Sequence, residues 1–316
     1  VHSGRGSEFR RLKARRLGAD TRDVPAQPAF AMSVDVEDYF QVQAFASQVP
    51  REDWDLWPCR VEANVDRLLQ LFVDTGARST FFVLGWVASR YPKLIERIAA
   101  QGHEVASHGM SHRMLTELTR DEMRAEARDS RHLLEDLSGT RVEGYRAPSY
   151  TINRHTHWAL EVLLEAGYTY DSSMFPIRGR RYGYPEGPTR PVRHPVNGTS
   201  IAEFPMSTIS AGPVRIPVLA GSYLRLLPTW VSVAAVQYHL MRNVPLVVNI
   251  HPWEADPGQP TIGPSRSRAW SHYTRLETTL GTLGRVLRMA PFASVRDRLR
   301  ELGLLAETTT QKVARI

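Results

Sequence analysis

From residue 29 to about residue 251, short runs of β-branched and aromatic residues alternate with longer stretches whose apolar positions recur at helical spacing. Residues 29–34, 79–84, 103–106, 142–145, 168–170, 201–204 and 246–250 read as strands. Between the first two, Val61, Val65, Leu68, Leu69 and Phe72 mark one helix face, and Gly76 supplies its stop. Pro92 opens a helix that ends at Gly102, and Thr119 with Glu122 forms a capping box for a helix reaching Leu137. Asn153 is placed to cap a helix with Trp158, Leu160, Val162, Leu163 and Leu164 on its apolar face, and 228–243 reads as another. The stretch 177–200, rich in Gly, Pro and Arg, reads as a long loop or insertion.

Such alternation implies parallel strands joined by crossover helices. The polar residues then choose between architectures. Asp35, His108, Arg146, Asp171 and His251 each follow a different strand. A (β/α) barrel opens every strand C-terminus on one face, where these five would meet. An open doubly wound sheet would gather ligands at a Gly-rich switch point, and the sequence has no such loop. The expected fold is therefore α/β, a barrel.

Length and charge narrow the picture. A chain of 316 residues with 42% apolar and 23% charged positions can bury one large core. The net charge of +7 draws heavily on Arg5, Arg10, Arg11, Lys13, Arg15, Arg16 and Arg22, so residues 1–28 are expected to be a disordered basic arm. That charge lies outside the domain expected over 29–290, with a C-terminal helix and tail over 291–316, which argues against a nucleic-acid partner. No apolar run reaches a membrane-spanning length, and no signal peptide is evident. The expected location is the cytoplasm or the cytoplasmic face of the membrane. Cys59 stands alone, so no internal disulfide forms.

His108 and His112, four residues apart after a strand end, and the upstream cluster Asp35-Val36-Glu37-Asp38 carry the chemistry. Two neutral nitrogens and one carboxylate oxygen make the three-ligand shell of a hydrolytic divalent cation with a position left open for water. The spacing of the histidines alone is unspecific. Its companions give it weight: Thr80-Phe81-Phe82-Val83-Leu84-Gly85, Gly144-Tyr145-Arg146-Ala147-Pro148, Tyr170-Asp171-Ser172-Ser173, Glu203-Phe204-Pro205 and Ile250-His251-Pro252-Trp253-Glu254.

With those blocks in that order, the chain resembles the polysaccharide deacetylase (NodB-homology, carbohydrate esterase family 4) superfamily, and most closely its exopolysaccharide-locus subfamily found beside exosortase systems. The resemblance implies a distorted barrel of fewer than eight strands. It also implies a divalent metal, zinc before cobalt, nickel or manganese, and hydrolytic removal of acetyl groups from an N-acetylated glycan. His108, His112 and one carboxylate would hold the metal. Asp35 would be the base, paired with Arg146, and His251 the acid, oriented by Asp171. The backbone N–H after Pro148 would serve the oxyanion.

The sequence departs from the family pattern in three places. The usual adjacent Asp-Asp is stretched to Asp-Val-Glu-Asp, so either Glu37 or Asp38 is the metal carboxylate. Ser149 stands where an aromatic residue is usual, with Tyr150 one place later. Trp253 and Glu254 follow His251, suited to stack on a sugar face and to bond hydroxyls, and Tyr39 lies beside the acidic cluster as a further substrate contact. A related hydrolase of a small amide or cyclic ureide is the alternative, since scaffold does not dictate substrate. A non-catalytic glycan binder is disfavoured by the intact polar set.

Overall fold

The computed structural model describes residues 28–179, 182–212, 214–263 and 266–306. The basic arm, save Pro28, and the end of the C-terminal tail lie outside them. The chain runs β1 (Phe30–Val36), α1 (Val61–Thr75), β2 (Thr80–Val83), α2 (Gly85–Arg90), α3 (Pro92–Ala100), β3 (Glu104–Ser107) and α4 (Arg120–Ser138). It continues with β4 (Gly144–Tyr145), α5 (Ala159–Glu165), β5 (Tyr170–Asp171), β6 (Val192–Val196), β7 (Thr199–Glu203), β8 (Thr208–Ala211) and β9 (Val214–Pro217). Then come α6 (Ser222–Leu226), α7 (Thr229–Arg242), β10 (Leu246–Ile250), α8 (Arg266–Tyr273), α9 (Thr279–Leu287) and α10 (Val295–Glu301).

An eight-stranded sheet has the order β10-β1-β2-β3-β4-β5-β7-β6. All neighbours are parallel except β6, which pairs antiparallel with β7. The sheet curls into a partial barrel. At its seam, Ala220 bridges Asn249 of β10, and Ser207 Oγ accepts the Val247 N–H at 2.8 Å. Three expectations shift. The sheet has eight strands where fewer were expected, because antiparallel β6 adds to seven parallel ones. The stretch 177–200 contains β6, a strand masked in the sequence by its Pro and Arg. The helix expected from Asn153 begins only at Ala159, because the Asn153 side chain closes a local turn onto the His155 N–H.

Strand alternation sorts the residues into two apolar layers. Phe30, Met32, Val34 and Val36 of β1, with Phe81 and Val83 of β2, face the helices and join the main core. Ala31, Phe82, Ala106, Tyr170, Ala202, Phe204 and Val247 face inward and fill the barrel. The small alanines leave room inside for polar side chains higher up the same strands. At the floor, α10 plugs the barrel: the Val295 N–H donates to Thr80 Oγ1 and the Arg296 N–H to Glu104 Oε2. The floor is sealed and the mouth is left for chemistry.

Candidate active site

The inward face of β1 carries Ala31, Ser33 and Asp35, and Glu37 extends the alternation just past the strand end. Asp35 and Glu37 therefore lean into the mouth, while Asp38 turns the other way. Its carboxylate accepts the Arg60 N–H at 2.6 Å, the Val61 N–H at 2.9 Å and the Tyr39 N–H at 2.8 Å, serving the N-terminus of α1. Burial raises its pKa to about 6 in spite of those donors. In this geometry the Asp38 carboxylate is committed to backbone N–H groups, and of the two candidates it is Glu37 that groups with His108 and His112.

After β3 the chain turns sharply, with Gly109 and His112 in left-handed conformations. This turn brings both imidazoles to Glu37. One ligand atom from each of Glu37, His108 and His112 lies within 4.8 Å of the others, and all three residues are buried. His108 Nδ1 sits 2.8 Å from the Arg146 carbonyl, which only accepts, so Nδ1 carries the proton and Nε2 offers its lone pair. Burial pushes the His108 pKa down to about 4, keeping it neutral. His112 Nε2 lies 2.7 Å from Glu37 Oε2, yet that oxygen accepts no hydrogen bond. Burial works to raise the Glu37 pKa, but its close approach to His112 and then the His251 charge outweigh that and bring it to about 2. A buried, ionised oxygen without a donor beside two imidazole nitrogens suits a divalent cation.

The turn is clamped by residues that motif reading missed. Glu126 on α4 accepts the Met110 N–H at 2.6 Å, the Ser111 N–H at 3.0 Å and the Ser111 hydroxyl. Arg51 donates to the carbonyls of Ser111 and His112. Nothing in their local sequence marks either residue, because both act across long separations.

Beside this trio, Asp35 Oδ1 accepts from Arg146 Nη1 at 2.8 Å, and Asp35 Oδ2 accepts from Asn249 Nδ2 at 3.0 Å and the Tyr150 hydroxyl at 3.4 Å. Arg146 is fully buried, with further bonds to Ser33, Asn249 and Ser172 and its guanidinium 4.0 Å above the Phe82 ring. Burial opposes the Asp35 charge, but Arg146 and then His108 outweigh it, so the pKa falls below the usual carboxylate value. His251 Nε2 lies 3.8 Å from Asp35 and 3.7 Å from Glu37.

His251 is not oriented by Asp171. Tyr170 and Ser172 point into the barrel, so Asp171 between them points out. There it accepts from Ser173 Oγ at 2.6 Å and the Ser173 N–H at 3.0 Å, paired in register with Glu203. The partner of His251 is Glu254, whose Oε1 lies 2.8 Å from Nδ1 and whose Oε2 accepts from the buried Arg225 at 3.1 Å. Burial works against the His251 charge, while the Glu254 hydrogen bond and the Glu37 carboxylate raise its pKa to about 9. Glu254 is fully buried, so it is not the hydroxyl contact expected.

The mouth encloses a cavity of about 280 Å³ whose lining includes Asp35, Glu37, His108, His112 and His251. Ser149 and Tyr150, both at positive φ, line it, whereas Pro148 is buried and outside the lining. Tyr150, Phe175 and Tyr182 form an aromatic wall, with Phe175 and Tyr182 stacked at 6.1 Å. Tyr39 is not part of the lining. It is buried against Phe40 and Trp57, because it follows Asp38 toward α1. His272, unremarkable in the sequence, is buried at the cavity edge against Trp253.

Comparison with known proteins fits this geometry. The family model for "Polysaccharide deacetylase" matches residues 54–170, and that for "Domain of unknown function (DUF3473)" matches 172–300. Residues 54–170 thus carry a polysaccharide deacetylase (NodB-homology) domain. It is 32% identical over 113 residues to the peptidoglycan deacetylase of Helicobacter pylori, covering 36% of this chain and 38% of that one. The chain spans between 20% and 38% of the length of the first curated relatives it matches. A Mycobacterium smegmatis protein assigned to the polysaccharide deacetylases shares the fold, with TM-score 0.58, 22% identity and coverage of 91% of this chain and 96% of that one. So does Puue allantoinase, with TM-score 0.59, 15% identity and coverage of 88% and 91%. Among the described residues, no helix is long and apolar enough to cross a membrane.

Proposed function

We propose that this protein is a metal-dependent N-deacetylase acting on an N-acetylhexosamine unit of an exopolysaccharide. The observation that carries this reading is the convergence of Glu37, His108 and His112 at one point, with Asp35 and His251 flanking it. Curated relatives that act on peptidoglycan and chitooligosaccharides support the substrate class. The second matched family model supports the exopolysaccharide subfamily.

Glu37, His108 and His112 would hold the cation. When bound, it supplies Lewis-acid polarisation of the amide carbonyl and a water acidified toward neutrality. The chain's own residues do the rest. Asp35, kept ionised by Arg146 and aimed by Asn249, takes the proton of the attacking water at Oδ2. His251, protonated through its bond to Glu254, delivers a proton from Nε2 to the departing sugar amine. The Ser149 backbone, bent into the cavity wall, is the candidate donor to the developing oxyanion. The aromatic wall of Tyr150, Phe175 and Tyr182 offers ring faces to a sugar, which favours a glycan over a small ureide.

Incubating zinc- or cobalt-loaded protein with N-acetylglucosamine oligomers and measuring free acetate tests the reading. Acetate release that stops on chelation is expected. No release from any N-acetylated glycan by metal-loaded protein would contradict it.

A further inference from the structure

Trp253 looks in sequence like a platform for a sugar ring, but the structure gives it other neighbours. It is buried, and its indole N–H donates to Glu37 Oε1 at 3.3 Å. Its ring stacks on His272 at 4.0 Å with a 16° interplanar angle, and on His251 at 5.3 Å with 21°. We propose that Trp253 is a positioning residue for the carboxylate ligand: its N–H fixes one oxygen of Glu37 so that the other is aimed at the cation. This inference rests on the reading of Glu37, His108 and His112 as the cation site.

A carboxylate on a two-methylene stem rotates freely unless one oxygen is tied. With Oε1 tied to the indole, Oε2 is the oxygen left facing His112 Nε2, with no donor of its own. Partners that orient a ligating group in this way typically contribute about 10- to 100-fold in metal affinity.

The indole is itself held. His272 Nε2 lies 2.8 Å from Gln259 Oε1, and Gln259 Nε2 donates to the Trp253 carbonyl at 2.9 Å and the Asp256 carbonyl at 3.1 Å. Phe45 and Tyr273 pack edge-on against His272 at 4.8 and 4.7 Å. Stacking therefore runs from α8 through His272 and Trp253 to His251, and one N–H branches from it to the metal carboxylate. A sugar platform needs an open ring face. Trp253 borders the cavity, but it is only 5% exposed and stacked by two imidazoles.

The Trp253→Phe variant keeps a smaller stacking ring and removes the N–H. Zn²⁺ affinity of the purified protein, measured by competition with a chromophoric chelator, should fall about 10- to 100-fold. At saturating metal, kcat for acetate release should fall while KM stays within about twofold of wild type. His272→Phe preserves the stack but not the Gln259 bond, and should show a smaller loss of metal affinity in the same direction. Unchanged Zn²⁺ affinity in Trp253→Phe with KM raised about tenfold would make Trp253 a sugar platform and overturn the proposal. If the wild-type protein itself takes up no divalent ion, the cation reading beneath it fails instead.

Discussion

Asp35 and Asp171 occupy equivalent places, each buried at the C-terminal end of a parallel strand, yet they live in opposite electrostatic worlds. Asp35 faces the barrel interior, touches Arg146 and Asn249, lines the cavity and is held ionised. Asp171 faces outward beside Glu203, bonds Ser173, and has its pKa raised by burial. Glu203 is raised well above the usual carboxylate range by burial and then by the Asp171 charge. Position at a strand end brings a carboxylate near the mouth. The parity of the strand decides whether it joins the chemistry or becomes part of the packing behind it.

The largest expected effect tests the first member of the pair. Asp35→Asn should lower kcat about 10²- to 10⁴-fold, as loss of a general base does, while metal content and ligand affinity stay near wild type. Asp171→Asn should leave kcat within a few-fold of wild type. Equal damage from both would erase the distinction drawn here.

Next in size is Glu254→Gln, which assigns to Glu254 the role that Asp171 does not fill. The raised His251 pKa keeps the imidazole protonated until the pH passes about 9, so general-acid activity should fall only on that alkaline side. Removing the Glu254 charge lets burial dominate, and the alkaline limb of the kcat/KM profile should move to lower pH by about one unit or more. An unmoved limb would mean that some other group holds the proton on His251.

A smaller effect concerns stability. Burial and the Asp171 charge raise the Glu203 pKa in the folded state above its ordinary value of 4.5. The folded state therefore binds more protons than the unfolded one, and stability falls as pH rises from there. Asp171→Asn removes one charge of the pair, so its Tm relative to wild type should climb by a few degrees between pH 5 and pH 8. A pH-independent difference would show that the Asp171 charge does not raise the Glu203 pKa. Smallest of all, Asp38→Ala should cost about 1 kcal/mol in denaturant unfolding, the usual loss for a helix-terminal carboxylate.

The sequence carried much of this in its period. The strands ending at Asp35, His108, Arg146 and His251 converge as a parallel barrel requires, whereas the choice between Glu37 and Asp38 stayed open in the sequence because the end of β1 is not legible there. Other features depended on geometry that periodicity does not carry. A tight turn after β10 wraps Glu254 back onto His251 three residues earlier, hiding a partner that looked like a hydroxyl contact. The same turn buries Trp253. Glu126 and Arg51 clamp the His108–His112 turn from distant segments, and such contacts leave no trace in local pattern. The strand β6 escaped because Pro195 and Arg193 disguise an edge strand as a loop.

Metal stoichiometry in two neighbouring variants tests the central claim most directly. Wild type and Asp38→Asn should each bind about one divalent ion per chain by elemental analysis after dialysis, and Glu37→Gln should bind essentially none. Retention of the ion by Glu37→Gln together with its loss from Asp38→Asn would contradict the account.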